Sequence, residues 1–427
     1  MENTDCDVLV IGGGPGGSTA AALARKRGLS VIVAERDTFP RFHIGESLLP
    51  MGNAVLKETG VWDKLADAGF VRKLGAEFAL ADGSATKEIV FADSLVPGLE
   101  QTYQVERSRF DLLLLDHARG LGADVRMATT VRALTETPER VAATLVGRDG
   151  TSTPVTARWV IDAGGRENHY ESEQKRRTEP APFPKRAAVF SHFEGVARAP
   201  GPKGGNIVIV RLEDGWFWVI PIGAHRTSVG LVTSIDKIRG AANPQAVFEA
   251  TVASSARLRM LMAAARAVEP FRVAADYSYV RTDFASPRVL LAGDAAAFFD
   301  PIFSSGVHLS TESASRAVGA IAAADARGGA LTPSERRRYT RSIKSSCSVF
   351  KRLIEVFYDN DSFAVFMTQK PPFDLHRGLV SIVAGHSRLT WPLWWRFRFF
   401  LMVCRLQRYL RLVEPIAHAS RVELRPA

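Results

Sequence analysis

A glycine-rich turn near the N-terminus has the spacing that binds the pyrophosphate of a dinucleotide. Gly12, Gly14 and Gly17 follow the apolar run Val8–Ile11 and precede an alanine-rich segment. The first glycine permits a tight turn, the second lets the backbone approach a phosphate, and the third lets a helix pack on a strand. The N-terminus of that helix then offers free N–H groups to the phosphates. Ser18, in its first turn, is a further candidate cofactor contact.

An acidic residue stands where such a fold binds a ribose. Glu35 follows the apolar run Val31–Val33 and lies 18 residues after Gly17, a position from which a carboxylate accepts hydrogen bonds from a ribose diol. Arg36, beside it, is another candidate contact. The alternative is a glycine-rich turn without a ligand, which is disfavoured because strand, helix and strand are all present. The pattern predicts a bound dinucleotide and leaves FAD and NAD both open.

Residues farther along the chain suit a flavin and an anion. Asp294 ends an apolar strand where a helix begins. A carboxylate there can hold a ribityl chain, or it can serve as an N-cap. A helix that opens at Gly306 presents free amides, which bind anions. From the residues alone, Arg41 and Arg107 would be ordinary surface ion pairs.

Two tryptophans alternate on one predicted strand. Trp216 and Trp218 stand in a run that reads W-x-W-x-I-P, and alternate residues of a strand share a face. The indoles are either core aromatics or a wall between a flavin and a substrate chamber. Lys73 precedes Leu74-Gly75-Ala76, and composition alone would make it a surface lysine.

Together these motifs resemble the flavin-dependent halogenases and their relatives among aromatic hydroxylases and isoprenoid reductases. The resemblance covers roughly residues 5 to 350, including Glu35–Pro50, Val105–Asp111 and the tryptophan signature. It implies an oxidoreductase that uses FADH2 to install chlorine or bromine on an electron-rich aromatic ring in natural-product biosynthesis.

The resemblance also implies roles for single residues. Lys73 matches the catalytic lysine that receives hypohalous acid and delivers electrophilic halogen to the ring. Ser305 and Gly306 match a chloride site beside the flavin, and Trp216 and Trp218 match the partition between flavin and substrate. The further cofactor contacts that it implies are Arg41, Ser47, Arg107, Asp294, Pro301 and Val307.

Some stretches depart from the family pattern. Residues Asp162–Arg166 read Asp-Ala-Gly-Gly-Arg where relatives often have a serine, and Glu167–Tyr170 is also unlike the usual run. No residue matches the glutamate that partners the lysine in tryptophan halogenases, which favours phenol or pyrrole substrates. No second glycine fingerprint is present, so we expect a separate flavin reductase to supply reduced FAD.

The patterns predict an α/β fold. A Rossmann-like parallel sheet would bind FAD, with an inserted antiparallel β-sheet substrate domain and a helical C-terminal extension. We expect the FAD-binding domain in residues 1–78, 105–185 and 275–340, and the substrate domain in 79–104 and 186–274. The family resemblance implies that a helical segment, 341–427, covers the substrate mouth.

The formal charge of +10 is concentrated near the C-terminus. Residues 331–427 hold 17 Lys and Arg against 7 Asp and Glu, an excess that equals the net charge of the whole chain. A basic face favours an acidic partner. We expect an acyl carrier protein bearing an aromatic group, and no nucleic acid. A solvated helical face and a membrane-surface helix are the alternatives.

Composition bounds the remaining possibilities. Hydrophobic residues are 46% and charged residues 23%, as in soluble globular proteins. The three cysteines show no metal-ligand spacing, so we expect no metal and a cytoplasmic location. The longest apolar stretch, Leu389–Leu410, contains four arginines, too many for a transmembrane segment.

The rival functions are a single-component FAD/NADPH aromatic hydroxylase, which is a monooxygenase, and a non-catalytic flavoprotein.

Overall fold

The computed structural model describes residues 4–166, 178–180, 185–276, 278–369 and 371–416. The strands are β1 Cys6–Ile11, β2 Val31–Ala34, β3 Val71–Lys73, β4 Gly75–Leu80, β5 Thr86–Val90, β6 Thr102–Gln104, β7 Asp124–Arg126, β8 Thr129–Glu136, β9 Val141–Gly147, β10 Ser152–Asp162, β11 Thr178–Pro180, β12 Arg186–Glu194, β13 Ile207–Arg211, β14 Trp216–Pro221, β15 Thr227–Ser234, β16 Arg266–Ala267, β17 Arg272–Asp276, β18 Tyr279–Arg281, β19 Val289–Leu291 and β20 Ala297–Phe298. The helices are α1 Pro15–Lys26, α2 Asn53–Thr59, α3 Trp62–Asp67, α4 Arg107–Gly120, α5 Ile235–Arg239, α6 Pro244–Ser254, α7 Ala256–Met262, α8 Ser305–Asp325, α9 Pro333–Tyr358, α10 Asn360–Met367, α11 Leu375–Val383 and α12 Trp391–Leu410.

The first sheet is the parallel sheet that the sequence predicts. Its order is β7-β2-β1-β10, and β19 pairs with the C-terminal half of β10. The N-terminal half of β10 continues into the antiparallel strands β9 and β8. Side chains on both faces of β1 are buried, as expected for a parallel strand covered on two sides. Helix α1 packs against α4 and α8, so the glycine turn lies beside the start of α8.

The second sheet is the inserted sheet. Its order is β16-β12-β15-β14-β13-β4-β5, and β17 pairs with β12. Its pairs are antiparallel except that of β13 with β4, which is parallel. Strand β4 begins at Gly75, so the predicted boundary between residues 78 and 79 falls inside it. The register that joins Ala76 and Phe78 to β13 explains why: these residues already belong to the second sheet.

Helices dominate the C-terminal part, as predicted. Helix α9 begins with a capping box in which Thr332 and Glu335 satisfy each other's backbone N–H groups. The predicted start of the C-terminal segment at residue 341 falls inside α9, because this helix continues unbroken from Pro333 to Tyr358. Within the described ranges, no helix is long and apolar enough to cross a membrane.

An aromatic cluster attaches these helices to the second sheet. The Phe78 ring on β4 lies 4.9 Å from that of Phe366 on α10 and 6.0 Å from that of Phe303, just before α8. Phe357 on α9 packs edge-on against Trp216 and Phe303. Edge-to-face packing at these centroid distances is favourable. The C-terminal helices therefore form one wall of the region between the second sheet and the start of α8.

Candidate functional site

A cavity of about 420 Å³ lies between the two sheets. The glycine turn and the ends of β1 and β2 form one side of it, and β14 forms the other. The loop before α8 and the residues at the start of that helix close it. Of the predicted contacts, the cavity is lined by Gly12, Gly14, Glu35, Arg36, Arg41, Ser47, Arg107, Trp216, Trp218, Asp294, Pro301, Gly306 and Val307. Predicted residues that were scattered along the chain are thus collected in one place.

The glycine turn has the tight packing that the fingerprint requires. Gly12 has a φ of +92°, and a Cβ on Gly17 would lie 1.8 Å from the Gly12 carbonyl oxygen. Gly17 therefore allows α1 to approach β1. Gly17 itself does not line the cavity. Ser18 is also placed behind the turn, where its hydroxyl donates to the Gly13 carbonyl over 2.8 Å. Its position indicates support of the turn and no direct contact with the cavity.

Glu35 is held at the end of β2 with both carboxylate oxygens in use. Oε2 accepts from the Gly13 amide at 2.5 Å, and Oε1 accepts from the Asp37 amide at 2.8 Å. The side chain is 4% exposed and lines the cavity. A buried carboxylate oriented by backbone donors is a preorganised acceptor for a ribose diol.

Two arginines line the cavity and share one buried acid. Arg107 forms a two-pronged pair with Asp111, at 2.7 and 2.9 Å, and also donates to the Ile44 carbonyl. The Arg41 guanidinium lies 3.4 Å from Asp111 and 3.4 Å from where a Gly14 side chain would begin. Buried Nε and Nη1 of Arg41 donate no hydrogen bond to any described residue. Donors with unused hydrogens beside the glycine turn suit phosphate oxygens. Both arginines are therefore more than ordinary surface ion pairs.

Asp294 lies in a 3-10 turn that follows β19, and its side chain caps no helix. Burial raises the pKa of this carboxyl to about 6, against the opposing effect of Arg166 and Arg107. Hydrogen bonds from hydroxyl groups stabilise the charged form of a carboxyl that is so poorly solvated. Its place on the cavity wall makes it a candidate for the ribityl hydroxyls.

The start of α8 is an open helix N-terminus at the end of the cavity. Ser304 precedes the helix with a φ of +54°, and its side chain makes no capping hydrogen bond. Gly306 and Val307 line the cavity, whereas Ser305 is buried behind them and does not. Amides of an uncapped first turn attract an anion. Ser304, which the sequence analysis did not single out, lines this cavity and a second one.

The two indoles of β14 lie on one face, as predicted from their spacing. Their rings are 5.9 Å apart, and both line the cavity. Trp216 Nε1 donates to the Tyr358 hydroxyl on α9, which in turn donates to Asp300 at 2.6 Å. Neither indole lines the second cavity, so a role for them as a partition between flavin and substrate stays a prediction.

Lys73 lies in the second cavity, which is separated from the first by shared residues Ile207 and Ser304. Its side chain is 2% exposed, and Nζ donates to Ser47 Oγ and to the Leu48 carbonyl, each over 2.8 Å. Burial lowers the pKa of this amine to about 7. A surface location, which composition alone favoured, is thereby excluded.

The Lys73 cavity is apolar and almost filled. Its volume is about 10 Å³, which is room for about one water molecule. Aromatic and branched side chains surround the amine, and the Phe91 ring centroid lies 5.4 Å from Nζ. The rest of the lining is Leu49, Ala76, Phe78, Ile209, Ile302, Phe303 and Val383.

Comparison with known proteins agrees with this geometry. The family model described as an FAD binding domain matches residues 5–334. The chain is 32% identical over 401 residues to the 1H-pyrrole-2-carbonyl peptidyl-carrier-protein chlorinase of Pseudomonas fluorescens, covering 88% of each chain. The chain belongs to the flavin-dependent halogenases.

Solved structures extend the comparison to the fold. The chain is 28% identical to the flavin-dependent brominase Bmp2, solved as a triple mutant, with a TM-score of 0.81 over 93% of this chain and 99% of that one. It is also 28% identical to a flavoprotein/dehydrogenase from Cytophaga hutchinsonii, with a TM-score of 0.87 over 94% of this chain and 98% of that one. The α/β fold with its helical C-terminal part is therefore that of flavin halogenases.

The residues of the first cavity fit FAD. The glycine turn and Arg41 offer donors for the pyrophosphate, Glu35 offers an acceptor for the ribose, and Asp294 offers one for the ribityl chain. The cavity is also lined by Gly164, Gly165 and Arg166, in the stretch that departs from the family pattern. The serine that relatives often have there is missing, but the backbone of this stretch still lies on the cavity wall. Residues 167–170, which are unlike the family pattern, lie outside the described residues.

Sequence reasoning missed several residues of the site. Glu46 lines the first cavity, and Ile207 lines both. Glu46 stands directly before Ser47 in a motif that was already singled out, so its carboxylate was a readable signal. Ile207 carries no chemical signal, since only the packing of β13 against β4 brings it between the two cavities.

Proposed function

We propose that this halogenase installs chlorine or bromine on an electron-rich aromatic ring, and that Lys73 delivers the halogen. The observation that carries the proposal is a buried amine with no charged partner among the described residues, in a cavity whose wall is shared with the FAD cavity. Bound reduced FAD supplies the electrons with which dioxygen and halide yield hypohalous acid. Ile207 and Ser304 then stand between the place of its formation and Lys73.

The lowered pKa of Lys73 suits such a transfer. Near pH 7 the amine is present in both protonation states. The ammonium donates a hydrogen bond to hypohalous acid, and the neutral amine is a nucleophile towards halogen. The apolar lining excludes bulk water, which would otherwise carry the oxidant away.

We propose that the halide binds at the start of α8. The uncapped amides around Ser305 and Gly306 face the end of the FAD cavity, with Gly306 on its wall. Ser304, whose backbone is left-handed with a φ of +54°, lies on the wall of the same cavity. Chloride and bromide both suit a site built from N–H groups.

The substrate class follows from the surroundings of the amine. Within the described part of the chain, the hydrogen-bond partners of Lys73 are neutral oxygens. No carboxylate there assists the polarisation of a less reactive ring, which favours phenol or pyrrole substrates. The pyrrole-specific relative from Pseudomonas fluorescens acts on a carrier-bound ring, and we propose the same form of substrate for this chain.

The surface of α12 and its surroundings supports a carrier-protein partner. Trp391 is 71% exposed and Tyr409 is 82% exposed. Arg398, Arg405 and Arg408 lie on the same helix, within the strongly basic C-terminal part of the sequence. Carrier proteins are acidic, so charge would steer the encounter and salt would weaken it. Weakening of the complex between 50 and 500 mM salt in a pull-down is the expected result, and salt-independent binding would contradict it.

We further propose that the FAD-binding and substrate domains and the C-terminal segment divide near the predicted residues.

The protein would use a separate flavin reductase. The single-component hydroxylase rival predicts substrate-stimulated NADPH oxidation by the purified protein, and the two-component proposal predicts none.

One assay separates the proposed function from its rivals. The protein is given chemically reduced FAD, dioxygen, chloride or bromide, and a panel of free and carrier-loaded phenols and pyrroles. Mass spectrometry reads gain of halogen, gain of oxygen or no change, which correspond to halogenase, hydroxylase and non-catalytic flavoprotein. Oxygenated product without halogenated product would overturn the proposal.

Lys87 supplies a matched control for the lysine. It is the other buried lysine among the described residues, and it donates to the Thr368 carbonyl outside both cavities. Lys73→Ala should abolish halogenation while FAD still binds, and Lys87→Met should retain halogenation. Equal activity of the two variants would remove Lys73 from the mechanism.

A further inference from the structure

A buried acid, an imidazole and a second acid form a chain that starts at the FAD cavity. Glu46 lines the cavity, and its Oε1 lies 2.8 Å from Nε2 of His192 on β12. Nδ1 of the same ring lies 3.3 Å from Oε1 of Glu269. Each step is within hydrogen-bond distance, so the two nitrogens of one imidazole join the two carboxylates.

The two ends of this chain differ in exposure. Glu46 and His192 are 3% and 4% exposed, whereas the side chain of Glu269 is 28% exposed. The chain therefore connects the cavity with solvent through a single buried ring. Because imidazole accepts a proton on one nitrogen and releases one from the other, such an arrangement conducts protons.

The charged groups around His192 are arranged to hold this alignment. Arg272 and Arg226 pair with Glu269 at 3.2 and 3.6 Å. The Arg272 guanidinium also lies 3.6 Å above the Phe42 ring, which packs against His192. Arg272 contacts Oε2 of Glu269, whereas Arg226 contacts Oε1, the same oxygen that faces Nδ1 of His192. Among the described residues, Glu46 is the acid that approaches Nε2, from the cavity side.

Burial alone would lower the pKa of His192, but its hydrogen bonds to Glu46 and Glu269 and their charges outweigh burial. The net result is a raised pKa. A histidine with a raised pKa holds its proton to a higher pH than an ordinary histidine does.

Halide oxidation needs a proton in this cavity. Reduced FAD, dioxygen, chloride and one proton give FAD, hypochlorous acid and water. Dioxygen accepts two electrons from the flavin and two from chloride. One of its oxygens leaves as water and the other bonds to chlorine. Chlorination of the ring then releases a second water, so each turnover consumes one proton from outside.

We propose that Glu46, His192 and Glu269 deliver this proton from solvent to the FAD cavity. The inference rests on the proposed function, because it is the halide-oxidising reaction that consumes the proton. Glu46, on the cavity wall, is the terminal donor. His192 acts through Glu46 as the relay, and Glu269 collects protons at the surface.

The first test measures the relay without turnover. The ring signals of His192 are followed by NMR between pH 5 and 9, with His192→Gln used to assign them. Glu46→Gln keeps the size of the side chain but removes its charge, so the pKa of His192 should fall. Glu88→Gln, at an exposed pair with Lys203, should leave the His192 pKa unchanged. An unchanged His192 pKa in Glu46→Gln would overturn the proposal.

The second test measures proton delivery. Hypohalous acid is trapped by a small β-diketone, so no aromatic substrate is needed, and FAD affinity is measured separately by fluorescence. At pH 8, Glu46→Gln and His192→Gln should slow trapping on the order of 100-fold, as for loss of a general acid, with FAD affinity within threefold of the wild type. The deficit should shrink towards pH 6, and Glu46→Asp should partly restore the rate.

A merely structural role of these residues gives a different outcome. The variants would then bind FAD more weakly, or would trap hypohalous acid more slowly by the same factor at every pH. Either result, with a deficit that does not depend on pH, would overturn the proposal. If the wild type trapped no hypohalous acid, the proposed function would fail. The histidine titration would still decide whether Glu46 and His192 are coupled as described.

Discussion

Replacing Lys73 by methionine should abolish halogenation and yet stabilise the folded protein near neutral pH. The pKa of the lysine falls from its ordinary value of 10.5 to about 7 because the amine is buried. A depression of that size corresponds to about 5 kcal/mol of unfavourable interaction with the charged form, at 1.36 kcal/mol per pKa unit. Methionine keeps the length and apolar character of the chain and carries no such cost.

The loss of two hydrogen bonds opposes this gain. Nζ of Lys73 donates to Ser47 and Leu48, and each bond contributes about 1 kcal/mol. The net stabilisation of Lys73→Met at pH 7 or below should therefore be about 3 kcal/mol. On the proposed role of Lys73, the reaction requires an amine that lowers the stability of the fold.

The sign of the pH dependence can be worked out. Between pH 7 and 10.5 the unfolded chain holds a proton on Lys73 that the folded chain has released. The stability of the wild type therefore rises with pH in this window. The advantage of Lys73→Met should shrink as pH rises and reverse at about pH 9, where the charging cost equals the value of the two hydrogen bonds.

Urea unfolding of the FAD-free protein at pH 7, 8, 9 and 10, followed by tryptophan fluorescence, measures this difference. The surface variant Lys203→Met should show no pH-dependent difference, because Lys203 is exposed and paired with Glu88. A Lys73→Met protein that is destabilised equally at pH 7 and pH 10 would refute the reasoning. The amine would then be solvated, and its proposed chemistry would lose its physical basis.

Three further substitutions test the FAD cavity. Gly17→Ala should prevent FAD binding or folding, because the added Cβ would lie 1.8 Å from the Gly12 carbonyl oxygen. Quenching of FAD fluorescence measures binding, and circular dichroism measures folding. Normal FAD binding by this variant would contradict the turn geometry. Gly230→Ala should displace the Trp218 indole, whose ring lies 2.2 Å from the new Cβ, and weaken FAD binding by about tenfold or more, roughly the loss of one aromatic contact. Asp294→Asn should lower FAD affinity by about tenfold at pH 8, the loss of about one charge-assisted hydrogen bond. Its effect should diminish below pH 6, where the wild-type carboxyl also becomes neutral; titrations at both pH values check this, and a loss equal at both would contradict the role of the charge.

Local sequence signals predicted the cofactor end of the site well. The glycine spacing, the apolar runs that form β1 and β2 and the W-x-W alternation each depend on short stretches whose backbone geometry is set by neighbouring residues. The confirmed fold of the family follows from the same signals.

Long-range packing determined what the sequence could not predict. His192 is 146 residues from Glu46 in the chain, and only the pairing of β12 in the second sheet brings the two together. Ser304 was overlooked because a left-handed serine has no sequence signature of the kind that glycine provides. Ser18 was assigned to the cofactor from its position in the first turn, but its hydroxyl is used inside the turn.

The nearly filled Lys73 cavity connects the C-terminal segment to catalysis. A volume of about 10 Å³ admits water but no aromatic ring, so part of the lining must move before a substrate reaches the amine. The β-sheet walls are held by continuous strand pairing, whereas Val383 belongs to α11, a short helix whose Ser381 hydroxyl contacts Ser94 and the Leu95 amide. Val383 is the lining residue that the C-terminal segment contributes. Since α11 packs against α12, whose exposed aromatic and basic face is the proposed carrier site, partner docking and opening of the lysine cavity involve one contiguous piece of the molecule.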